Sequence, residues 1–356
     1  MAYYVNPHIR DTVRVFPMEG RADFRRYDMN ENPSGLPPAF VEKVKKEITP
    51  EFLATYPEPS RFLRKYAAFL GVPFESVTAA NGSDMAIRYV FETFGEPGKD
   101  VVTVSPTFEM YWVECSILGL RHRPVPYEPD LSMPVEKILE AIDENTKIVV
   151  LTNPNNPVGN VYAEAELDRI IEKTKEVGAV LVIDEAYHYF YAGTAVKKAT
   201  EEEHVIVLRT FSKLFSIAAC RIGIVVGHPA LIQYVRQGKL TFDVNSVALL
   251  FAERLIEEPG LLEELIRTEN EGKAYMYRTL EENGYPVYRS EANFLFIETK
   301  RDALEVTKEL EEEEKILVHG YRNSLLRKFI RVSIGSEAEM RYFMERFLPL
   351  DAREEA

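Results

Sequence analysis

Cysteine is scarce in this chain, with two residues in 356, and the scarcity excludes several kinds of protein at once. Cys115 and Cys220 make neither a disulfide framework nor a C-x-x-C metal spacing, so two thiols in a reducing, cytoplasmic setting are expected. Positive charge is also in deficit: 43 lysines and arginines face 57 aspartates and glutamates, a formal charge of -14. That balance argues against an extended nucleic-acid surface or an anionic membrane as partner. No apolar run is long enough to cross a bilayer, and MAYYVNPHIR has no apolar core of a signal peptide, so no leader is expected. No G-x-G-x-x-G occurs, which disfavours a dinucleotide site. The six histidines are scattered without H-E-x-x-H, and no metal site is expected.

What is present is a globular composition, 46% hydrophobic and 28% charged, in a chain long enough for two domains. VVTV (Val101 to Val104), KIVVLT (Lys147 to Thr152), AVLVID (Ala179 to Asp184), VIVL (Val205 to Leu208) and IGIVV (Ile222 to Val226) read as strands buried on both faces. Helical patterns lie between them. In SDMAIRYVFETF, Ile87, Val90, Phe91 and Phe94 follow one helical face behind a Ser83/Asp84 N-cap, and AEAELDRIIEKTKEVG closes on Gly178. The alternation predicts a three-layer α/β sandwich around a mainly parallel sheet. After about residue 250, glutamate-rich helices to about residue 283 and over Arg301 to Lys315 accompany the strand candidates NFLFIE and KFIRVSI, predicting a smaller α+β domain. The expected division is an N-terminal arm over 1–45 that packs with the small domain, a large domain over 46–250 and a small domain over 251–356.

Ligands of open parallel sheets bind beyond the carboxyl ends of the strands, and here those ends are polar, aromatic or glycine-bearing. They read Asn81-Gly82-Ser83-Asp84, Pro106-Thr107-Phe108, NPNNPVG from Asn153 to Gly159, Asp184-Glu185-Ala186-Tyr187, and Thr210 to Lys213. A lysine in an apolar run is more often a surface side chain with its ammonium in water. Lys213, however, sits between a strand, two hydroxyl residues and Arg221, and a buried amine there would be usable near neutral pH and able to form a Schiff base. Each neighbour has a task if the ligand is pyridoxal phosphate. The helix start at Gly82, Ser83 and Asp84 would receive the phosphate, with Thr210, Ser212 and Arg221 around it. Phe108 would stack on the ring, Asp184 would pair with its nitrogen, and Asn156 and Tyr187 would bond its phenolate oxygen. Taken singly, Asp184 is more often a cap, Phe108 core and NPNNP a turn. Their order, each just after a strand, is what points to a site.

Over nearly its whole length the chain resembles the fold-type I pyridoxal-phosphate enzymes, class I/II aminotransferases, and within them the histidinol-phosphate aminotransferase group. The likeness rests on NENP (Asn30 to Pro33), YPEP (Tyr56 to Pro59), NGSD, SPTFEMY, NPNNPVG, DEAY, TFSK with Arg221 and Gly223 beyond it, DVNS (Asp243 to Ser246), ANF (Ala292 to Phe294) and IRVSIG around Arg331. It implies that Lys213 is the Schiff-base lysine, that Tyr56 reaches the cofactor phosphate of a partner subunit in a homodimer, and that Arg331 anchors the substrate's acidic group. Lys213, Asp184 and Tyr187 are the expected catalytic residues; Arg331, His319, Asn156 and Met18 are the expected substrate contacts. The chain departs from the group at four places. Phe108 replaces a tyrosine, Ala219 a glycine, Met18 a tyrosine near the substrate phosphate, and His319 a second substrate-binding arginine. The implied reaction moves an amino group from an amino acid or phosphorylated amine to a 2-oxo acid such as 2-oxoglutarate. Other amino donors, aromatic ones included, stay open, as do a decarboxylase resembling threonine-phosphate decarboxylase and, from another class, a non-catalytic binding or regulatory domain. The histidine at 319 is expected to titrate near pH 6.5.

Overall fold

Five apolar runs distribute alternate side chains between two packing layers. In the computed structural model, which describes residues 3–12, 14, 16 and 19–353, Val205 and Val207 face one core cluster while Ile206 and Leu208 face another. Val149 and Leu151 divide from Ile148 and Val150 in the same way. A strand that buries both faces has no solvent side to mark with polar residues, which is why these segments are continuous runs of β-branched residues.

The strands are β1 (Arg25–Arg26), β2 (Val77–Ala80), β3 (Asp100–Ser105), β4 (Arg121–Pro126), β5 (Thr146–Thr152), β6 (Val180–Asp184), β7 (Val205–Thr210), β8 (Gly223–Gly227), β9 (Phe294–Glu298), β10 (Ile316–Leu317), β11 (His319–Gly320) and β12 (Phe329–Ser333). Seven form the central sheet in the order β2-β8-β7-β6-β5-β3-β4. The sheet is parallel except for β8, which runs antiparallel to both its neighbours. The expected mainly parallel α/β sandwich is therefore present, with two strands that the apolar runs did not mark. VTAA is short and alanine-rich. RHRPVP lies at the sheet edge, where proline and charge are tolerated because one side has no ladder to complete.

The helix expected at SDMAIRYVFETF spans Gly82–Phe94 and buries Ile87, Val90 and Phe91. Its start differs from the sequence reading. Asn81 occupies the N-cap position without a side-chain cap bond, and Ser83 and Asp84 lie in the first turn, so the turn's N–H groups are not consumed by a cap.

The smaller sheet orders β11-β12-β9, all antiparallel, under the helices Leu261–Glu282, Ala303–Glu314 and Glu337–Asp351. The last of these was not read from the sequence, although Met340, Phe343, Met344, Phe347 and Leu350 are spaced for one helical face and all are buried. Residue 250 falls inside the helix Ser246–Glu257, which packs into the larger core, and the next helix carries Leu261 and Leu265 in that core but Tyr275, Met276 and Leu280 in the smaller one. The N-terminal segment also serves both: β1 pairs with β10 and Tyr27 joins the smaller core, while Phe40 and Val44 join the larger. No helix among the described residues is long and apolar enough to cross a membrane.

Candidate active site

The loops after β2, β3, β5, β6 and β7 converge at one end of the central sheet, and β12 of the smaller sheet closes over them. Lys213 follows β7. Its Nζ donates to the backbone oxygen of Met29 at 2.8 Å and lies 5.9 Å from the centre of the Tyr187 ring. Burial, with Arg331 and Arg221 adding repulsion, pushes its pKa down to about 8, so a substantial share of the amine is neutral near physiological pH.

Asp184 ends β6, almost fully buried. Desolvation raises its pKa to about 6 against two hydrogen bonds, from the Tyr111 hydroxyl at 2.7 Å and the Ala186 N–H at 3.0 Å. The following Tyr187 is equally buried, and its hydroxyl accepts from Asn30 Nδ2 at 2.9 Å, leaving its own proton free to donate. Burial pushes that phenol up to about 12, so it is a donor throughout the neutral range.

Glycines shape the opposite end of the site. A Cβ on Gly82, whose φ is 81°, would come within 2.5 Å of Arg221 Nη2, and a Cβ on Gly223 within 2.5 Å of the Gly82 carbonyl carbon and 2.6 Å of Ser83 N. Only two residues without side chains let β8, the helix start and the guanidinium approach so closely. Arg221 then reaches Asp84 Oδ2 at 3.1 Å and Ser212 Oγ at 3.4 Å, and Ser212 accepts from Thr210 at 3.0 Å. This cradle of uncapped helix N–H groups, two hydroxyls and a fixed cation fits a phosphate.

Across the site Arg331 is buried on β12. It donates through Nη1 to Asn156 Oδ1 at 2.6 Å, while its Nε is buried without a partner. Because the Asn156 oxygen is taken, its amide nitrogen is the end left for an oxygen ligand. His319 pairs in register with Arg331 across the two strands and packs against Tyr321 at 4.7 Å. Its outer edge is exposed, which tempers the effect, but desolvation and the Arg331 charge both act downwards, and its pKa falls to about 4. The titration expected near 6.5 is thus displaced downwards: desolvation first, and the guanidinium opposite it second, favour the neutral imidazole at physiological pH.

The structure brings Lys213, Asp184, Tyr187, Asn156 and Arg331 to one side and Gly82, Ser83, Asp84, Thr210, Ser212 and Arg221 to the other. Phe108 is half-buried, edge-on to Tyr111 at 5.8 Å. Tyr56 is not among them. It is 74% exposed and stacks on Phe242 at 4.5 Å. Met18 lies outside the described residues.

The model of the family described as "Aminotransferase class I and II" matches residues 27–347. The chain belongs to the class I and II aminotransferases. Among curated relatives, it is 30% identical over 352 residues to histidinol-phosphate aminotransferase 2 of Nitrosococcus oceani, covering 97% of this chain and 96% of that one. It is 32% identical over 327 residues to the histidinol-phosphate aminotransferase of a Geobacillus species, covering 90% and 88%. Its fold is shared with the histidinol-phosphate aminotransferase of Sinorhizobium meliloti, solved with pyridoxal-5'-phosphate, at a TM-score of 0.87 and 22% identity over 98% and 97% of the two chains. It is shared as well with a tetra mutant of an aspartate aminotransferase of Thermus thermophilus, at a TM-score of 0.80 and 19% identity over 98% and 99%. The type I fold implied by the motifs is the fold observed.

Sequence reasoning missed several residues of this aminotransferase's site. Asn30, Asn32 and Met29 lie in and beside NENP, yet only the folded chain shows Asn30 on Tyr187, Asn32 donating to Ser216 Oγ at 2.8 Å, and Met29 offering its carbonyl to Lys213. Tyr111, within SPTFEMY, had no sign of its tie to Asp184. The buried Arg209–Glu185 pair at 2.8 Å links β7 to the residue that follows β6; one acidic and one basic residue near the ends of adjacent strands were its only trace.

Proposed function

We propose that this aminotransferase is pyridoxal-phosphate dependent, takes its amino group from an amino acid or a phosphorylated amine such as histidinol phosphate, and delivers it to a 2-oxo acid such as 2-oxoglutarate. The observation that carries this reading is the buried Lys213 amine, with its lowered pKa, set between a phosphate-shaped cradle and a buried aspartate. When bound, the cofactor supplies an aldehyde for the amine and a ring that withdraws electrons from the bonds at the substrate's Cα. Gly82, Ser83, Asp84, Thr210, Ser212 and Arg221 would hold its phosphate, Phe108 one face of its ring, Asp184 the ring nitrogen, and Asn156 and Tyr187 the phenolate oxygen. Arg331, permanently charged and with Nε unpartnered, would orient the substrate carboxylate. Lys213 would take the proton from Cα and return it on the far carbon of the same exchange.

A homodimer is part of the proposal. Leu53, Tyr56, Leu240 and Phe242 are each more than half exposed, and Tyr56 stacks on Phe242; exposed apolar side chains of this kind are what a subunit interface covers, and burying them against a second copy would carry Tyr56 toward the partner's phosphate. The unpaired Cys115 and Cys220 fit a cytoplasmic enzyme.

The test is a screen of amino donors with 2-oxoglutarate, reading glutamate formation and carbon dioxide release together. Glutamate without carbon dioxide supports the aminotransferase; carbon dioxide without glutamate transfers the reading to the decarboxylase.

A further inference from the structure

Tyr111 comes from the helix Met110–Leu118 rather than from a strand end, and its side chain is fully buried. Its hydroxyl donates to Asp184 Oδ2 at 2.7 Å and lies 2.9 Å from Thr152 Oγ1 at the end of β5. A phenol has one proton, so donation to Asp184 makes the Thr152 hydroxyl the donor on its other side. The second Asp184 oxygen accepts the Ala186 N–H. Among the described residues Tyr111 is therefore the one side chain hydrogen-bonded to this carboxylate. The remaining groups that bear on Asp184 from neighbouring elements are Asp84 on the helix Gly82–Phe94, Glu185 beside it and the phenol of Tyr187; the two charged ones are acidic.

We propose that Tyr111 is a positioning residue that decides on which side the proton between Asp184 and the cofactor's ring nitrogen resides. The inference rests on the pyridoxal-phosphate reading. A proton shared between a carboxylate and a ring nitrogen stays with the more basic partner, and each hydrogen bond that the carboxylate accepts makes it less basic. The Tyr111 hydroxyl thus holds Asp184 as an anion and leaves the proton on the ring, where it is needed for electron withdrawal. Phenylalanine at 111 keeps the buried ring and its edge contact with Phe108 and removes only the donor.

The test begins with the full-length, cofactor-free protein. A carboxyl whose folded pKa exceeds its unfolded value of about 3.9 contributes stability at acid pH that is lost as the pH rises through the folded value. Asp184 is such a group, with a folded value of about 6, and removing its donor raises that value further. The thermal midpoint of Tyr111→Phe should fall below wild type by a gap wider at pH 8 than at pH 5, by roughly 2 °C or more. In an Asp184→Asn background the same substitution should leave a gap that does not change with pH. In the holoenzyme, Tyr111→Phe should lower kcat by roughly tenfold with KM little altered.

A gap equal at both pH values, or one that keeps its pH dependence in the Asp184→Asn background, would overturn the proposal and leave Tyr111 a packing residue. Should Tyr111→Phe fail to fold, the double variant with Asp184→Asn should fold, because the buried charge has gone; failure of both would also overturn it. A wild-type protein that takes up no pyridoxal phosphate would sink the functional reading instead, while the stability gaps would still decide whether Tyr111 governs Asp184.

Discussion

At the scale of single residues, burial sets the chemistry. Lys213 and Asp184 have pKa values shifted chiefly by loss of water, with neighbouring like charges adding to it, and the shifts run in opposite directions because the charged form is disfavoured in both. For Lys213 the consequence is measurable. The neutral amine is the nucleophile, so the rate of pyridoxal phosphate uptake by the cofactor-free protein should rise from pH 7 and level off above about pH 8, read by stopped-flow absorbance. A rate still climbing at pH 10 would mean a solvated lysine. Asp184→Asn should retain cofactor yet lose turnover by about a hundredfold or more, since one preorganised partner in a water-poor site is worth about 3 kcal/mol. His319 gives the opposite kind of prediction. Held neutral by desolvation and, second, by the Arg331 charge, it should produce no step in the KM for a phosphorylated donor between pH 6 and 8, whereas His319→Arg should lower that KM, because arginine brings a permanent, forked charge. A KM that rises across that window in wild type but not in His319→Arg would show the imidazole titrating after all.

At the scale of elements, the phosphate cradle is a close approach between β8 and the helix Gly82–Phe94. Gly223→Ala puts a methyl 2.5 Å from backbone atoms rather than from a yielding side chain, so strand and helix must separate. Cofactor affinity measured by equilibrium titration should weaken by roughly tenfold or more, about 1.4 kcal/mol, and an unchanged affinity would remove the cradle from the account. What was legible beforehand follows the same division between pattern and contact. Val205 to Leu208 and Lys147 to Thr152 announced themselves because full burial demands apolar runs. VTAA and RHRPVP did not, because one is too short and the other sits on an edge. Thr210, Ser212 and Arg221 were readable as a group by their spacing along one loop. Tyr111, 73 residues from Asp184 in sequence, was not, since nothing local encodes a contact between a helix and a distant strand end.

At the scale of the whole molecule, the site lies between the central sheet and β12, so Arg331 and Lys213 are held together only when both cores are formed. The resemblance assigned Tyr56 to the phosphate of a partner subunit rather than to this chain's own site, and here it is exposed and stacked on Phe242; the proposed homodimer would carry it to that phosphate. Mixing Lys213→Ala subunits with Tyr56→Ala subunits should restore activity, since each mixed dimer carries one intact site, and mixtures no more active than their components would contradict a shared site. The central claim, that Lys213 is the amine on which the cofactor is held, has the most direct measurement. The purified protein is loaded with pyridoxal phosphate, reduced with borohydride, digested and mapped by mass spectrometry. The account predicts loss of the visible absorbance and one pyridoxyl adduct, on Lys213; an adduct on another lysine, or a colourless protein with none, would contradict it.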